Sequence, residues 1–108
     1  MAFELILRGG RVIDPSQNLD RIADVAFAGG RVARIGTNLP ADAGTDVRDV
    51  GGLIVAPGLI DLHTHVYWGG TSLGIDAEDF CRRSGVTTCI DTGSAGPREL
   101  CGLPQARH

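Results

Sequence analysis

A mixed fold is predicted for this sequence, a β-rich first half followed by one strand–helix–strand unit of a parallel sheet, and three observations predict it. Short β-prone runs flanking a Gly-Gly pair occur twice within the first 35 residues. The pattern changes at Pro57-Gly58, and beyond it a stretch with helix-capping signals separates two short apolar runs. With 108 residues in all, the chain has room for one modest domain. Residues 1–56 are assigned to the β-rich segment, 57–97 to the strand–helix–strand unit and 98–108 to an irregular tail.

In the first segment, Leu5-Ile6-Leu7-Arg8-Gly9-Gly10-Arg11-Val12-Ile13 is echoed by Val25-Ala26-Phe27-Ala28-Gly29-Gly30-Arg31-Val32-Ala33-Arg34-Ile35. Each copy predicts a β-hairpin with its glycine pair in the turn, because a two-residue hairpin turn needs positive φ. Asp14-Pro15-Ser16 and Asn38-Leu39-Pro40 punctuate the ends, and further short strands are expected near 45–50 and 53–56.

In the second segment a strand is predicted over 59–66, with Trp68-Gly69-Gly70 in the loop after it. Asp76 is a suitable helix N-cap with Asp79 three residues on, and Ala77, Phe80 and Cys81 share one helical face. Arg82 and Arg83 fall in the last turn and Gly85 stops the helix, which gives a helix over 77–84. Residues 86–91, rich in β-branched side chains, form the second strand and end in the loop 92–97. From Arg98 onward no periodicity survives, so a poorly ordered tail is expected.

Composition narrows the function classes. All ten basic residues are arginine against thirteen acidic residues, a net charge of −3. Chemistry that needs a lysine amine from within this chain is thereby excluded. No basic stripe and few aromatics leave no footprint for nucleic acid. No apolar run approaches the ~20 residues of a membrane span, and the first residues lack a leader pattern, so no membrane role and a cytoplasmic location are expected. Cys81, Cys89 and Cys101 are odd in number and lack the paired spacing of a zinc ribbon. Buried or incidental thiols in a reducing compartment are the expectation.

The chemically informative run is Pro57-Gly58-Leu59-Ile60-Asp61-Leu62-His63-Thr64-His65. Alternation along a strand puts Asp61, His63 and His65 on one face and Ile60, Leu62, Thr64 and Val66 on the other. Two histidines two residues apart on a strand bring two imidazoles within reach of one ion such as Zn²⁺. Asp61 is placed either to hydrogen-bond an imidazole nitrogen or to be a further ligand. The pair sits at the expected carboxyl end of the first strand of a βαβ series, where α/β barrels build their sites. Asp91 closes the second strand at the same end, as a group supporting the metal site or as a turn cap. Tyr67 and Trp68 are placed to line a substrate pocket or to pack as lid residues. Cys89 shares the face of Asp91, and a lone thiol among β-branched residues reads as core. The glycine loop after Asp91 lacks a Walker pattern and a lysine, which argues against phosphate binding there.

The same run, preceded by Leu7-Arg8-Gly9-Gly10-Arg11-Val12-Ile13-Asp14, resembles the amino terminus of the amidohydrolase superfamily in its dihydroorotase, hydantoinase and deacetylase-like branch. The resemblance covers residues 3–96. It implies a composite β-sandwich and a (β/α)₈ barrel holding one or two divalent metals, Zn²⁺ foremost, with His63 and His65 as ligands at the end of barrel strand 1. It implies hydrolysis of a small-molecule amide or cyclic amide. The family's other ligands have no counterpart here: the chain has no lysine and its third histidine is His108. Dihydroorotases carry an arginine two residues after the second histidine, where this chain has Tyr67, a departure that points away from dihydroorotate. Tyr67-Trp68-Gly69-Gly70 and Asp91-Thr92-Gly93-Ser94-Ala95-Gly96 look more like the deacetylase-type branch.

A barrel of typically ~250 residues is only begun by two strands. The sequence is thus expected to be an amino-terminal piece of such an enzyme, with the tail 98–108 departing from the family pattern through truncation or a shifted frame. Little or no turnover is expected of it alone, since neither a full ligand set nor a catalytic base is identifiable. The rival reading is a non-catalytic β-rich module that associates with another copy or with a chain carrying the missing barrel strands. A third reading makes His63 and His65 ordinary strand residues.

Overall fold

The computed structural model describes residues 2–94. Two compact units divide between Pro57 and Gly58. The first is built from β1 (Leu5–Asp14), β2 (Leu19–Ala28), β3 (Arg31–Gly36), β4 (Asp46–Asp49) and β5 (Ile54–Val55). They form a single five-stranded sheet in the order β3-β2-β1-β4, with β5 also pairing with β1. β1 is antiparallel to β2 and parallel to both β4 and β5. Apolar residues gather on the two sides of this sheet. One cluster joins Ile6, Ala26 and Leu39 with Phe3 against it, and the other joins Val12, Ala23 and Val25 with Leu7, Leu19, Phe27, Ile35 and Val55 around them. A second layer, which a sandwich would require, is not among the described residues of this unit.

Only the second glycine pair makes a hairpin turn. Gly29 and Gly30 adopt φ of 58° and 70°, as a two-residue turn between twisted antiparallel strands demands. The hairpin expected at Gly9-Gly10 is not formed: β1 runs straight through it. The register steps from Leu7 opposite Val25 to Gly10 opposite Ala23, a β-bulge with Gly9 at φ 74°. Tertiary contacts account for the difference. Asp24 Oδ1 accepts the Gly9 N–H at 3.0 Å, and a Cβ on Gly10 would meet Val55 and Val50 methyls at 2.8 and 3.0 Å. The chain reverses instead at Pro15–Gln17, a single 3₁₀ turn capped by the Asp14 carboxylate and closed by Asn18 at φ 52°.

Asp24 is the polar pin of this unit. It is buried, and its Oδ2 accepts the Leu39 N–H at 3.0 Å, tying the loop after β3 to the bulge in β1. Arg8 completes the tie by donating to the Leu39 carbonyl at 2.8 Å.

The second unit contains β6 (Leu59–Thr64), α1 (Ala77–Ser84) and β7 (Val86–Asp91). β6 and β7 pair in parallel, as a strand–helix–strand crossover requires, and α1 packs against β7. β6 ends at Thr64, earlier than the sequence expectation of 66. The helix lies where its caps put it. The Asp76 carboxylate accepts the Asp79 N–H at 3.0 Å, and Gly85 at φ 72° ends the last turn. Gly58 lets β6 start close to its neighbour, because any Cβ there would overlap the Thr87 side chain. Among the described residues no helix is long and apolar enough to cross a membrane. The tail 98–108, with Cys101 and His108, lies outside the described residues.

Replacing Asp24 by Ala leaves two backbone N–H groups in the interior without their acceptor. A loss of about 2–4 kcal/mol is expected, read as a lowered midpoint in urea denaturation.

Candidate metal centre

His63 and His65 come from the carboxyl end of β6 and the residue just beyond it. Their ring centroids are 5.7 Å apart with the planes at 76°. Two imidazoles bound to one tetrahedral ion through nitrogens at about 2.0–2.1 Å place their centroids roughly 5 Å apart. The rings therefore lie close to the separation that a shared cation needs. His63 is exposed and His65 half-buried.

Strict alternation does not carry the strand to this arrangement. Asp61 pairs with Cys89 but Thr64 pairs with Asp91, so β6 spends three steps where β7 spends two. This irregularity removes a regular ladder partner, and the Asp61 carboxylate supplies another by accepting the His63 backbone N–H at 2.9 Å. The hydrogen bond that Asp61 accepts is thus from the strand itself, not from an imidazole nitrogen.

His65 is held on several sides. Its carbonyl accepts the Ile75 N–H at 2.9 Å, which brings the loop before α1 back to the strand end. Its Nδ1 lies 2.8 Å from the Ser94 hydroxyl. The next residue, Val66, donates its N–H to Asp91 Oδ2 at 2.9 Å. Thr64 adds a latch between the strands. Its hydroxyl donates to the Ile90 carbonyl at 2.9 Å, while its own carbonyl accepts the Thr92 N–H at 2.9 Å.

Asp91 is accordingly a turn organiser at the mouth of the unit. Its Oδ1 accepts the N–H groups of Ser94 at 2.8 Å and Gly93 at 3.0 Å. The Ser94 N–H foremost, then the Val66 N–H, the Ser94 hydroxyl and the Gly93 N–H, outweigh desolvation and lower the Asp91 carboxyl to about 2. Sequence reasoning placed Asp91 correctly at the strand end but missed Ser94. The available signal was Asp91-x-x-Ser94, a spacing suited to an Asx-type turn.

Tyr67 packs on its own loop: the Gly70 N–H donates to its carbonyl at 3.2 Å, and a Cβ on Gly70 would overlap its ring. Trp68 is exposed. A groove of about 470 Å³ lies elsewhere, lined by Gln17, Leu19, Arg21 and residues 32–35 of the first unit, and includes none of the predicted site residues. Cys81 and Cys89 are free, half-buried thiols, and burial foremost, with Cys89 adding, pushes the Cys81 thiol up. Among the described residues no group of three or more His, Cys, Asp or Glu is placed to hold a metal ion. The 5.7 Å centroid separation of the two imidazoles is compatible with half of a ligand set.

Comparison with known proteins adds an independent line. No protein-family model matches the chain. It is 55% identical over 62 residues to a dihydroorotase of Geobacter sp. (strain M21), a match spanning 57% of this chain and 15% of the relative. Against an allantoinase of Salmonella choleraesuis (strain SC-B67) it is 39% identical over 97 residues, 84% of this chain and 20% of the relative. A dihydroorotase crystal structure superposes with a TM-score of 0.74 at 30% identity, covering 94% of this chain and 26% of the other. An N-acyl-D-glutamate deacylase from Bordetella bronchiseptica, solved with zinc and a phosphonate inhibitor, gives 0.63 at 30% identity over 84% of this chain and 19% of the other. The chain thus spans between about a seventh and a quarter of the length of these proteins.

The Asp91 turn has a definite pH dependence. A carboxyl lowered from 3.8 to about 2 contributes stability that is fully present above its unfolded value and lost as pH falls through the folded one. The Gly93 and Ser94 amide resonances are expected to hold their positions at pH 5 and to move together as pH falls through about 2. In Asp91→Asn that transition disappears.

Proposed function

Because the chain belongs to the amidohydrolase superfamily, we propose that it carries the first two metal ligands, His63 and His65, of a metal-dependent hydrolase acting on carbon–nitrogen bonds other than peptide bonds. The observation that supports this most directly is the 5.7 Å approach of the two imidazoles at the end of a parallel strand. A bound divalent cation, Zn²⁺ being the favoured one at one or two per complete enzyme, would supply Lewis acidity toward water and an amide carbonyl. In this reading Asp61 and Asp91 act on the ligands through the backbone. Asp61 sets the strand irregularity beneath His63, and Asp91 gathers Val66 and Ser94 around His65. Tyr67 and Trp68 follow the second ligand and are proposed to border the space for a small amide or cyclic amide.

β6, α1 and β7 are proposed as the first repeat of a (β/α)₈ barrel, and the five-stranded sheet as one layer of the accompanying sandwich. A cytoplasmic location accompanies this reading. The relatives' names cover both cyclic and open-chain amides, and Tyr67 in place of the arginine expected in dihydroorotases favours a substrate other than dihydroorotate.

The chain by itself is proposed to be without turnover, since two imidazoles fill only half of a tetrahedral shell. One feature favours completion by further strands, from another copy or a separate chain. Ile60 and Leu62 on β6 are 63% and 71% exposed, which is apolar surface a finished barrel would cover.

Titration of the 108-residue chain with Zn²⁺ by calorimetry tests the assignment. Single His63→Ala and His65→Ala variants are each expected to weaken uptake at least tenfold, and the double variant to abolish it. Unchanged uptake in the double variant would overturn the ligand assignment. Assays on small amides with Zn²⁺, Mn²⁺ and Co²⁺ are expected to show no metal-dependent hydrolysis, and robust turnover would contradict the half-site reading.

A further inference from the structure

In the first unit, β2 reaches further than its outer neighbour. It pairs with β1 from Leu19 to Phe27, whereas β3 covers only Asp24 to Ala28 on the other side. Among the described residues, the outer edge of β2 over 19–23 and the outer edge of β3 are thus without a strand partner. The groove of about 470 Å³ opens at this edge. Leu19 and Arg21 line it from β2, residues 32–35 from β3, and Gln17 from the turn before β2. Successive strand residues point to opposite faces, so a groove that takes in four consecutive ones follows the backbone edge of β3 rather than one face. Its floor is apolar, since Leu19 and Ile35 both pack on the cluster of Val12, Ala23 and Val25.

The rim of the groove is cationic. Arg21 and Arg34 line it, and Arg31 begins β3. Ion pairs among the described residues engage Arg8, Arg11, Arg48 and Arg83, which leaves these three guanidinium groups without a carboxylate partner there. Residues 25–40 contain no Asp or Glu, although the whole chain carries a net charge of −3. Asp24, just before that stretch, is buried and taken up by the N–H groups of Gly9 and Leu39. Pairing this edge with a second copy would gather the arginines of both along one seam, which like-charge repulsion opposes. The same charges favour a strand with acidic side chains.

We propose that the β2–β3 edge, with Arg21 and Arg34, is a docking site for an acidic extended segment of a partner protein, which joins the sheet as a further strand. Main-chain hydrogen bonds to the open edge supply affinity, and the two guanidinium groups select the sign of the charge. Leu19 and Ile35 receive an apolar side chain between the acidic ones. Such a strand adds in the plane of the sheet, so the site is independent of the metal-ligand reading and of any second layer over the sheet's face.

Titration of the ¹⁵N-labelled full chain with the synthetic peptide Asp-Val-Glu-Val-Asp-Val-Glu, followed by amide shifts and hydrogen exchange, tests the site. Amides within 19–23 and 31–36 are expected to shift and to gain protection, with binding that weakens as salt is raised. The same peptide with lysine at every acidic position, and an acidic peptide N-methylated at alternate residues, are expected to bind at least tenfold more weakly. The double variant Arg21→Glu, Arg34→Glu is expected to lose roughly tenfold or more in affinity for the acidic peptide and to prefer the lysine one. Should charge reversal unfold the chain, Arg21→Gln with Arg34→Gln reads the same loss in a milder form. No shift at millimolar acidic peptide would overturn the proposal, as would equal binding of the lysine or N-methylated peptide, or shifts confined to other residues. A dimer formed without peptide through these same amides would overturn it in favour of a second copy.

Discussion

Parallel pairing of β6 with β7 is the constraint on which the candidate metal centre depends. A two-stranded parallel ladder is weak on its own, so each additional tie at its open end counts. The chain concentrates those ties where the histidines are. Thr64 bonds to β7 through its hydroxyl and accepts from Thr92 through its carbonyl, Asp91 reaches back to Val66, and Ile75 returns to the carbonyl of His65. The polar groups that close the sheet bind the backbone of His65 and its two neighbours in the chain.

The price of this arrangement is a ladder irregularity between Asp61 and Thr64, and the sequence encodes its remedy two residues before the first histidine. Asp61 accepts the His63 N–H that the irregular pairing leaves over. The first unit solves a similar problem in a similar way. Its bulge at Gly9-Gly10 is held by Asp24, another short carboxylate accepting a backbone N–H that the ladder does not use. Both units use aspartate to stabilise a departure from regular pairing.

How much of this was legible depended on how local each cause is. The helix over 77–84 was readable because Asp76, Asp79 and Gly85 act within one turn of its ends. The turn at Gly29-Gly30 was readable because both residues need positive φ and nothing distant interferes. Gly9-Gly10 carries the same local signal and was misread, since Asp24, Val50 and Val55, far along the chain, turn it into a bulge. The histidine pair was visible from its spacing alone. Ser94 was not, because its partner His65 lies 29 residues earlier and only the parallel pairing brings them together. The Asp61 contact escaped for a related reason: alternation assumes an unbroken ladder, and the ladder is broken there.

The central claim is that the rings of His63 and His65 close on a single cation. X-ray absorption at the zinc edge of the Zn²⁺-loaded chain, in a His108→Ala background so that only these two histidines remain, tests it most directly. The account predicts scattering from two imidazole nitrogens at about 2.0–2.1 Å, with the remaining positions filled by oxygen. A first shell dominated by sulfur near 2.3 Å, or containing one imidazole or none, would contradict it.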